Sequence, residues 1–418
     1  MACADGRIVD VGPAAQVEGR HPSAPVRDLG DVLLLPGLVD AHCHLEWSLL
    51  GDLLPRATFG RWLGRFLPLR LRMLPEDHLA AARAGALAAL LAGTTTLADS
   101  GPTGAGVDAM TEAGLRGTVH LEAFGREQGA AARRAAAAHA DRVAALDGGA
   151  GPRVRVGVSP HAPYTVGPDL WRALAEHPGL AARPWATHVA ESEDEERCIA
   201  RGEGPLADVF AAGGLEPGRW GGAGDEGPVG RLARGGALRA GTIAAHCVRL
   251  AAGDPATLRD ARVPVAHCPR SNGYLRCGRA PLERLRAAGA LVALGTDSPA
   301  SGGDYDLRAE ARAAAAAHAG VAGAPAADDL LRMATIDGAR ALGMAGEVGE
   351  LSPGARADLL ALRPARPVED VAAAALDARA EVAMVALDGE ALVEEGVALR
   401  LDAARVRARA REARARLC

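Results

Sequence analysis

The sequence predicts an α/β chain folded as a (β/α)8 barrel, with a small composite β lobe formed by both chain ends. Three observations carry that prediction. Eight short β-branched or apolar runs recur along the chain, most of them followed by an alanine-rich stretch of helical composition. No Gly-x-Gly-x-x-Gly follows the first run, which removes the usual support for an open doubly wound sheet. The two flanks read as strands and tight turns rather than as strand and helix in alternation.

The eight runs are Leu33 to His44, Thr94 to Ser100, Arg116 to Phe124, Arg153 to His161, Pro184 to Glu191, Gly241 to Val248, Arg262 to Pro269 and Ala290 to Ser298. Helical segments between them include Pro75 to Leu91, Gly129 to Leu146, Asp169 to His177 and Pro281 to Ala288. Parallel strands need such crossovers, and eight of them close into a barrel with a filled interior. The barrel is expected over residues 33–345, and the lobe over 1–32 and 346–418, including a C-terminal helix. Within the lobe, Gly6 to Val11, Gly349 to Leu362 and Glu381 to Leu399 read as strands and turns, with Asp388-Gly389 as a hairpin turn. The glycine-rich stretch Gly213 to Gly236 reads as a long loop between the fifth and sixth strands.

Composition excludes several classes of function. The chain of 418 residues has 49% hydrophobic and 24% charged residues, an ordinary globular balance, and no apolar run long enough to span a bilayer. All 47 basic residues are arginine, so Schiff-base chemistry, a phosphate-loop lysine and a carbamylated lysine bridging two metals are excluded. A net charge of −5 gives no basic footprint for nucleic acid. The start MACADGRIVDVG lacks a secretory pattern, and seven cysteines without a CxxC pair suggest neither disulfides nor a zinc ribbon. The expectation is a cytoplasmic protein acting on a small molecule, with no nucleic-acid or membrane partner and with assembly into a homo-oligomer left open.

The chemistry-bearing residues gather at strand ends. His42 and His44 end the first run two residues apart, so alternation along a strand aims both imidazoles the same way. A polar strand end carries such a pair too, but active sites of barrels are built at the C-terminal ends of their strands. His188 ends the fifth run, His246 the sixth, His267 the seventh, and Asp297 the eighth. His42, His44, His188 and Asp297 would converge as a mixed nitrogen and oxygen site for one divalent ion, zinc first and Fe2+ second. Such an ion lowers the pKa of its water toward about 7. Glu191 lies three residues beyond His188, where a carboxylate can move protons; alternatively it begins the next helix with Glu193, Asp194, Glu195 and Glu196. Asp297 alone could equally cap a helix. With Asp297 ligating, His246 is better placed to hydrogen-bond the water or the developing oxyanion. Glu46, Trp47, His161 and Arg270 lie at or just after strand ends and are candidate substrate contacts, Arg270 by pairing with a carboxylate.

These segments resemble a known family. Pro36-Gly37-Leu38-Val39-Asp40-Ala41-His42-Cys43-His44, Gly93-Thr94-Thr95-Thr96, Ser159-Pro160-His161-Ala162-Pro163-Tyr164, His188-Val189-Ala190-Glu191, Ala245-His246-Cys247-Val248 and Gly295-Thr296-Asp297-Ser298 resemble the amidohydrolase superfamily, in its aminohydrolase branch. The run His267-Cys268-Pro269-Arg270-Ser271-Asn272 looks most like aminodeoxyfutalosine deaminases, with S-adenosylhomocysteine and methylthioadenosine deaminases close behind. The resemblance implies His42, His44, His188 and Asp297 as metal ligands, Glu191 as proton shuttle and His246 as the histidine that orients water. It also implies a β lobe made from both chain ends.

The expected activity is metal-dependent hydrolytic deamination of an amino-substituted purine or an adenine-containing nucleoside, with release of ammonia. A hydrolase of the same fold acting on a triazine chloride, an alkylamine or a cyclic amide is the nearest alternative. A non-catalytic metal-binding barrel is the alternative from another class.

Overall fold

The computed structural model describes residues 1–214, 216, 220 and 226–418. The chain begins in a short hairpin, β1 (Ala2–Ala4) and β2 (Arg7–Asp10), and then enters β3 (Leu33–Pro36). Eight parallel strands follow: β4 (Leu38–Cys43), β5 (Thr94–Gly101), β6 (Arg116–Ala123), β7 (Val154–Pro160), β8 (Ala186–Val189), β9 (Ile243–His246), β10 (Val265–His267) and β11 (Val292–Leu294). Each of the eight expected runs holds one of them, with β5 reaching one residue further, to Gly101. Almost every residue in these strands is buried, as expected of parallel strands covered on both faces.

The strands form two four-stranded sheets, β4-β5-β6-β7 and β8-β9-β10-β11. Two seams close them into a barrel. At one, Cys43 bridges Asp297; at the other, Val158 bridges Trp185, and both bridges are parallel. Small residues fill the interior: Val39, Ala41, Ala98, Ala186, Ile243, Ala266 and Ala293 pack with Ala339, Leu342 and Val348, in or just after the helix Ile336–Ala341. With methyl groups inside, the strands can crowd at native density without strain.

The continuous first run is two strands, not one. β3 pairs with the lobe, and the chain passes into the barrel at Gly37, where a Cβ would come within 2.2 Å of the Thr95 side chain. Only glycine permits that approach. β4 then breaks its own alternation. Val39 and Ala41 belong to the barrel interior, yet Cys43 packs in the outer core, and the register with β5 shifts between Asp40 and Cys43. Bulges of this kind re-aim side chains beside active sites.

The lobe sheet runs β15-β14-β13-β12-β3, where β12 is Leu359–Arg363, β13 Glu381–Leu387, β14 Glu390–Glu394 and β15 Val397–Ala398. Asp388 and Gly389 have φ of 49° and 77°, the pair of positive angles that a two-residue hairpin needs. The N-terminal hairpin docks through Ile8, whose N–H donates to the Ala355 carbonyl at 2.9 Å. The C-terminal helix Ala403–Ala415 does not end free in solvent. Ala413 and Leu417 are buried, and Arg416 pairs with Asp77 of the helix Pro75–Leu91.

The stretch Gly213 to Gly236 is not one loop. Pro228–Arg234 is a helix opened by proline at its first position, while residues 215, 217–219 and 221–225 lie outside the described residues.

Candidate metal centre and active site

The seam between β4 and β11 carries two of the expected ligand segments. The His44 N–H donates to the Asp297 carbonyl at 2.8 Å, and the Asp297 N–H donates to the His42 carbonyl at 3.0 Å. Asp40 clamps the same seam, its carboxylate accepting from the Thr296 hydroxyl at 2.5 Å and from the His42 N–H at 3.1 Å. Gly295 is needed here, because a Cβ would lie 2.9 Å from both Cβ and the carbonyl oxygen of His42.

His44 and His188 are fixed by their far nitrogens. Nδ1 of His44 donates to the Ser100 carbonyl at 2.7 Å, and Nδ1 of His188 donates to the His161 carbonyl at 2.8 Å. Each Nε2 is therefore left with a lone pair, and the two face each other at 3.0 Å. His42 adds a third, because its Nε2 is buried without a hydrogen-bond partner. Three converging lone pairs repel one another unless a cation lies between them, so the donor set fits a divalent ion. Asp297 lies beside them: Oδ2 accepts from Ser271 and Ser301, while Oδ1 lies 3.5 Å from His44 Nε2.

The protonation states suit ligation. Burial, with the neighbouring imidazoles, pushes His42 well below the usual imidazole range and His188 down to about 3. Burial would raise the Asp297 carboxyl, but His44, His246 and the Ser271 hydroxyl outweigh it and hold the group ionised. Neutral imidazoles and an ionised carboxylate are the forms that bind metal. Three nitrogens and one oxygen suit zinc or ferrous iron.

Glu191 follows β8 on a turn in which Ala190 has φ of 55°. The turn is held by Glu195, whose carboxylate accepts the N–H of Ala190 at 3.0 Å and of Glu191 at 2.7 Å. Ser192 caps the helix Glu193–Arg201, so the acidic run beyond Glu191 does the structural work of a helix start and leaves Glu191 free to face the cleft. Burial, then the charges of Asp297 and Glu195, raises the Glu191 carboxyl well above its ordinary value. His246 Nε2 lies 3.7 Å from Glu191 Oε1, and His246 Nδ1 donates to Asn272 Oδ1 at 3.1 Å. His246, Cys247 and Asp297 also have positive φ, at 73°, 47° and 58°. With Ala190, four of the ten left-handed non-glycine residues among the described residues lie at the site, each storing about 1 kcal/mol or more that the surrounding hydrogen bonds offset.

Above these groups opens a cleft with a cavity of about 70 Å³. His44, His188, Glu191, His246 and Asp297 line its floor, and Trp47, Phe59, Trp62, Phe66, Tyr164 and His161 line its walls. Of the expected substrate contacts, Trp47 and His161 are present and two are not. Glu46 is turned away: its carboxylate accepts from the Gly104 N–H at 3.0 Å and meets His78 at 3.1 Å. Arg270 is held by Glu310 at 2.5 Å and Asp304 at 2.7 Å, so both its position and its charge are already committed. His267 is buried without a partner and packs edge-on to His318, a structural imidazole.

Sequence reasoning missed the helix Phe59–Arg72, which supplies Phe59, Trp62, Leu63, Phe66 and Arg70 to the cleft. Its aromatic residues recur at helical spacing, a signal also given by any helix facing a core. Glu122 on β6 was missed as well. It is buried, its Oε1 has no hydrogen-bond partner and lies 3.9 Å from His44 Nδ1, and burial raises its carboxyl to about 7.

The amidohydrolase family profile matches residues 33–392. A 5-methylthioadenosine/S-adenosylhomocysteine deaminase of Pelotomaculum thermopropionicum is 34% identical, over 100% of this chain and 93% of its own. An adenosine deaminase from Xanthomonas campestris with bound zinc superposes with a TM-score of 0.83 at 27% identity, covering 99% of this chain and 92% of that one. The atrazine chlorohydrolase of Arthrobacter aurescens, complexed with zinc, shares the fold with a TM-score of 0.81 at 24% identity, covering 99% and 94%. The chain belongs to the amidohydrolase family. Within it, the chain is a hydrolase of carbon–nitrogen bonds in cyclic amidines, a deaminase with a divalent-metal site.

Proposed function

We propose that this deaminase removes the amino group of an adenine-containing nucleoside, with His42, His44, His188 and Asp297 holding one divalent ion, zinc before ferrous iron. When bound, that ion supplies a Lewis acid that makes water nucleophilic at neutral pH. Everything else falls to side chains. Glu191, whose carboxyl burial raises above its ordinary value, gives its proton to the ring nitrogen beside the amino-bearing carbon. Once water has added there, the carboxylate takes one proton from the added oxygen and passes it to the amine, which leaves as ammonia; the second proton of that oxygen returns to Glu191 as the carbonyl forms. His246, kept neutral by burial, hydrogen-bonds the incoming oxygen and orients it. The aromatic walls hold the purine face and exclude bulk water.

One observation carries this reading: the buried carboxyl of Glu191 lies 3.7 Å from His246 Nε2, over the converging histidines. An amine needs a proton to leave and a chloride does not, so such a group favours deamination over the triazine-chloride alternative. Seven unpaired cysteines suit a reducing compartment, and we assign the activity to the cytoplasm. Among the described residues no helix is long and apolar enough to cross a membrane.

The test is a panel of aminodeoxyfutalosine, S-adenosylhomocysteine, methylthioadenosine, adenosine, guanine and cytosine, followed by ammonia release and ultraviolet absorbance. Stoichiometric ammonia from an adenine nucleoside is expected. Hydrolysis of a chlorinated or alkylamino triazine, with no ammonia from the panel, would overturn the assignment.

A further inference from the structure

Three imidazoles on the floor of the cleft are oriented through Nδ1, and they differ in what accepts that proton. For His44 and His188 the acceptor is a main-chain carbonyl, which no substitution removes. For His246 it is the side-chain oxygen of Asn272, 3.1 Å away. Asn272 is buried in the helix Pro269–Tyr274. Its neighbours fasten that helix: the N–H and the guanidinium of Arg270 both donate to Glu310, at 3.1 and 2.5 Å, and the Ser271 hydroxyl donates to Asp297. The main chain of Asn272 is held as well, its N–H donating to the Cys268 carbonyl at 3.0 Å and its carbonyl accepting from the Cys277 N–H at 2.9 Å. The side chain takes no part in this anchoring. Among the described residues its hydrogen bond is to His246, and Nδ2 is buried without a partner.

We propose that Asn272 is a positioning residue that fixes the tautomer of His246. The proposal rests on the reading of His246 as the residue that orients the incoming oxygen, and deepens it. A neutral imidazole carries one N–H, and the partners of the ring decide which nitrogen keeps it. With the proton on Nδ1 and donated to Asn272 Oδ1, Nε2 presents a lone pair to the cleft, where Glu191 Oε1 lies 3.7 Å away. His246 then receives an O–H of the incoming oxygen, whose own lone pairs stay free to attack the amino-bearing carbon. In the other tautomer Nε2–H would donate to that oxygen and occupy one of those lone pairs. Packing already sets where the ring lies, with its centre 5.6 Å from that of His188 and 5.5 Å from that of His42. Packing does not set where the proton lies, and that falls to Asn272.

The experiment is nitrogen NMR of the zinc-loaded protein carrying ring-labelled histidine, with the His246 signals assigned by their loss in His246→Gln, alongside kinetics on the adenine nucleoside turned over best. Wild type should show a protonated Nδ1 and a bare Nε2. Asn272→Leu, of similar size but without an acceptor, should lose that preference and lower kcat by about 10- to 100-fold, with KM within about threefold and the metal retained. Asn272→Asp offers the same acceptor oxygen, and should keep the tautomer and return kcat to within about fivefold of wild type. A bare Nδ1 in wild type would overturn the proposal whatever the variants do. So would an unchanged kcat in Asn272→Leu, or equal losses in the two variants. Should Asn272→Leu fail to fold, Asn272→Asp decides: a kept tautomer and kcat uphold the proposal, and loss of either overturns it. If wild type deaminates none of the adenine nucleosides, the functional reading fails separately, and the spectra decide alone: a protonated Nδ1 that Asn272→Leu disturbs and Asn272→Asp preserves upholds the role of Asn272, and any other pattern overturns it.

Discussion

Replacing Glu191 by glutamine removes a titrating proton while preserving shape and most hydrogen bonds. The carboxyl is buried, and burial favours its neutral form, so the neutral amide is the closest available substitute in the resting site. The turn beneath it is fastened by Glu195 to the main chain of residues 190 and 191, not to the Glu191 side chain, so the backbone should stay in place. What is lost is transfer of the proton to the ring nitrogen and then to the amine. General acid–base groups contribute about 10²- to 10⁴-fold, or about 2.7–5.4 kcal/mol of barrier. We therefore expect kcat to fall by at least about 10²-fold, with KM moving little and metal content unchanged. Ammonia release and elemental analysis on one preparation separate the two effects. Turnover within about threefold of wild type at equal metal content would refute the shuttle and leave Glu191 as part of the turn.

Chelation should abolish turnover and lower the melting temperature, because His42, His44 and His188 are left with opposed lone pairs; one divalent ion per active chain is expected, and two would contradict the mononuclear arrangement. His139 carries a pH signature: burial depresses it to about 4 against 6.5 in the unfolded chain, so the unfolded state binds its proton first and stability is lost as pH falls from about 6.5 toward 4. Relative to His139→Gln, wild type should lose about 2 kcal/mol between pH 7.5 and 5 in denaturant titrations. A pH-independent difference between the two proteins would show that the site is neutral to protonation. Asp358→Ala removes the buried partner of Arg116, which it pairs with at 2.8 Å, and should destabilise the fold by about 3–5 kcal/mol in chemical denaturation. A change below about 1 kcal/mol would mean that Asp388 alone suffices to neutralise Arg116.

Strand ends were legible because a barrel concentrates its chemistry there. His42, His44, His188, Glu191, His246 and Asp297 could each be placed from one run of sequence, and the fold gathers them into one cleft. What escaped depends on partners distant in the chain. Arg270 reads as a free cation until Glu310, forty residues on, is seen against it. Glu46 reads as a cleft carboxylate until the Gly104 N–H claims it. The break at Gly37 was hidden because apolar residues continue on both sides, and only the approach of Thr95 shows why the strand must stop. The bulge in β4 is invisible to any rule of alternation; the spacing of His42 and His44 was read correctly, but the face they take is set by the register shift against β5.

The two seams of the barrel have a further consequence. His42 and His44 belong to the sheet β4-β5-β6-β7, whereas His188 and Asp297 belong to the sheet that starts at β8. Neither half carries all four of these groups, so the proposed centre would be complete only when both seams have zipped. A half-assembled chain would lack the full donor set, so tight uptake of the ion would follow closure of the circle of strands. The cation would act as a rivet between the halves, and the last event of folding would also be the first of catalysis.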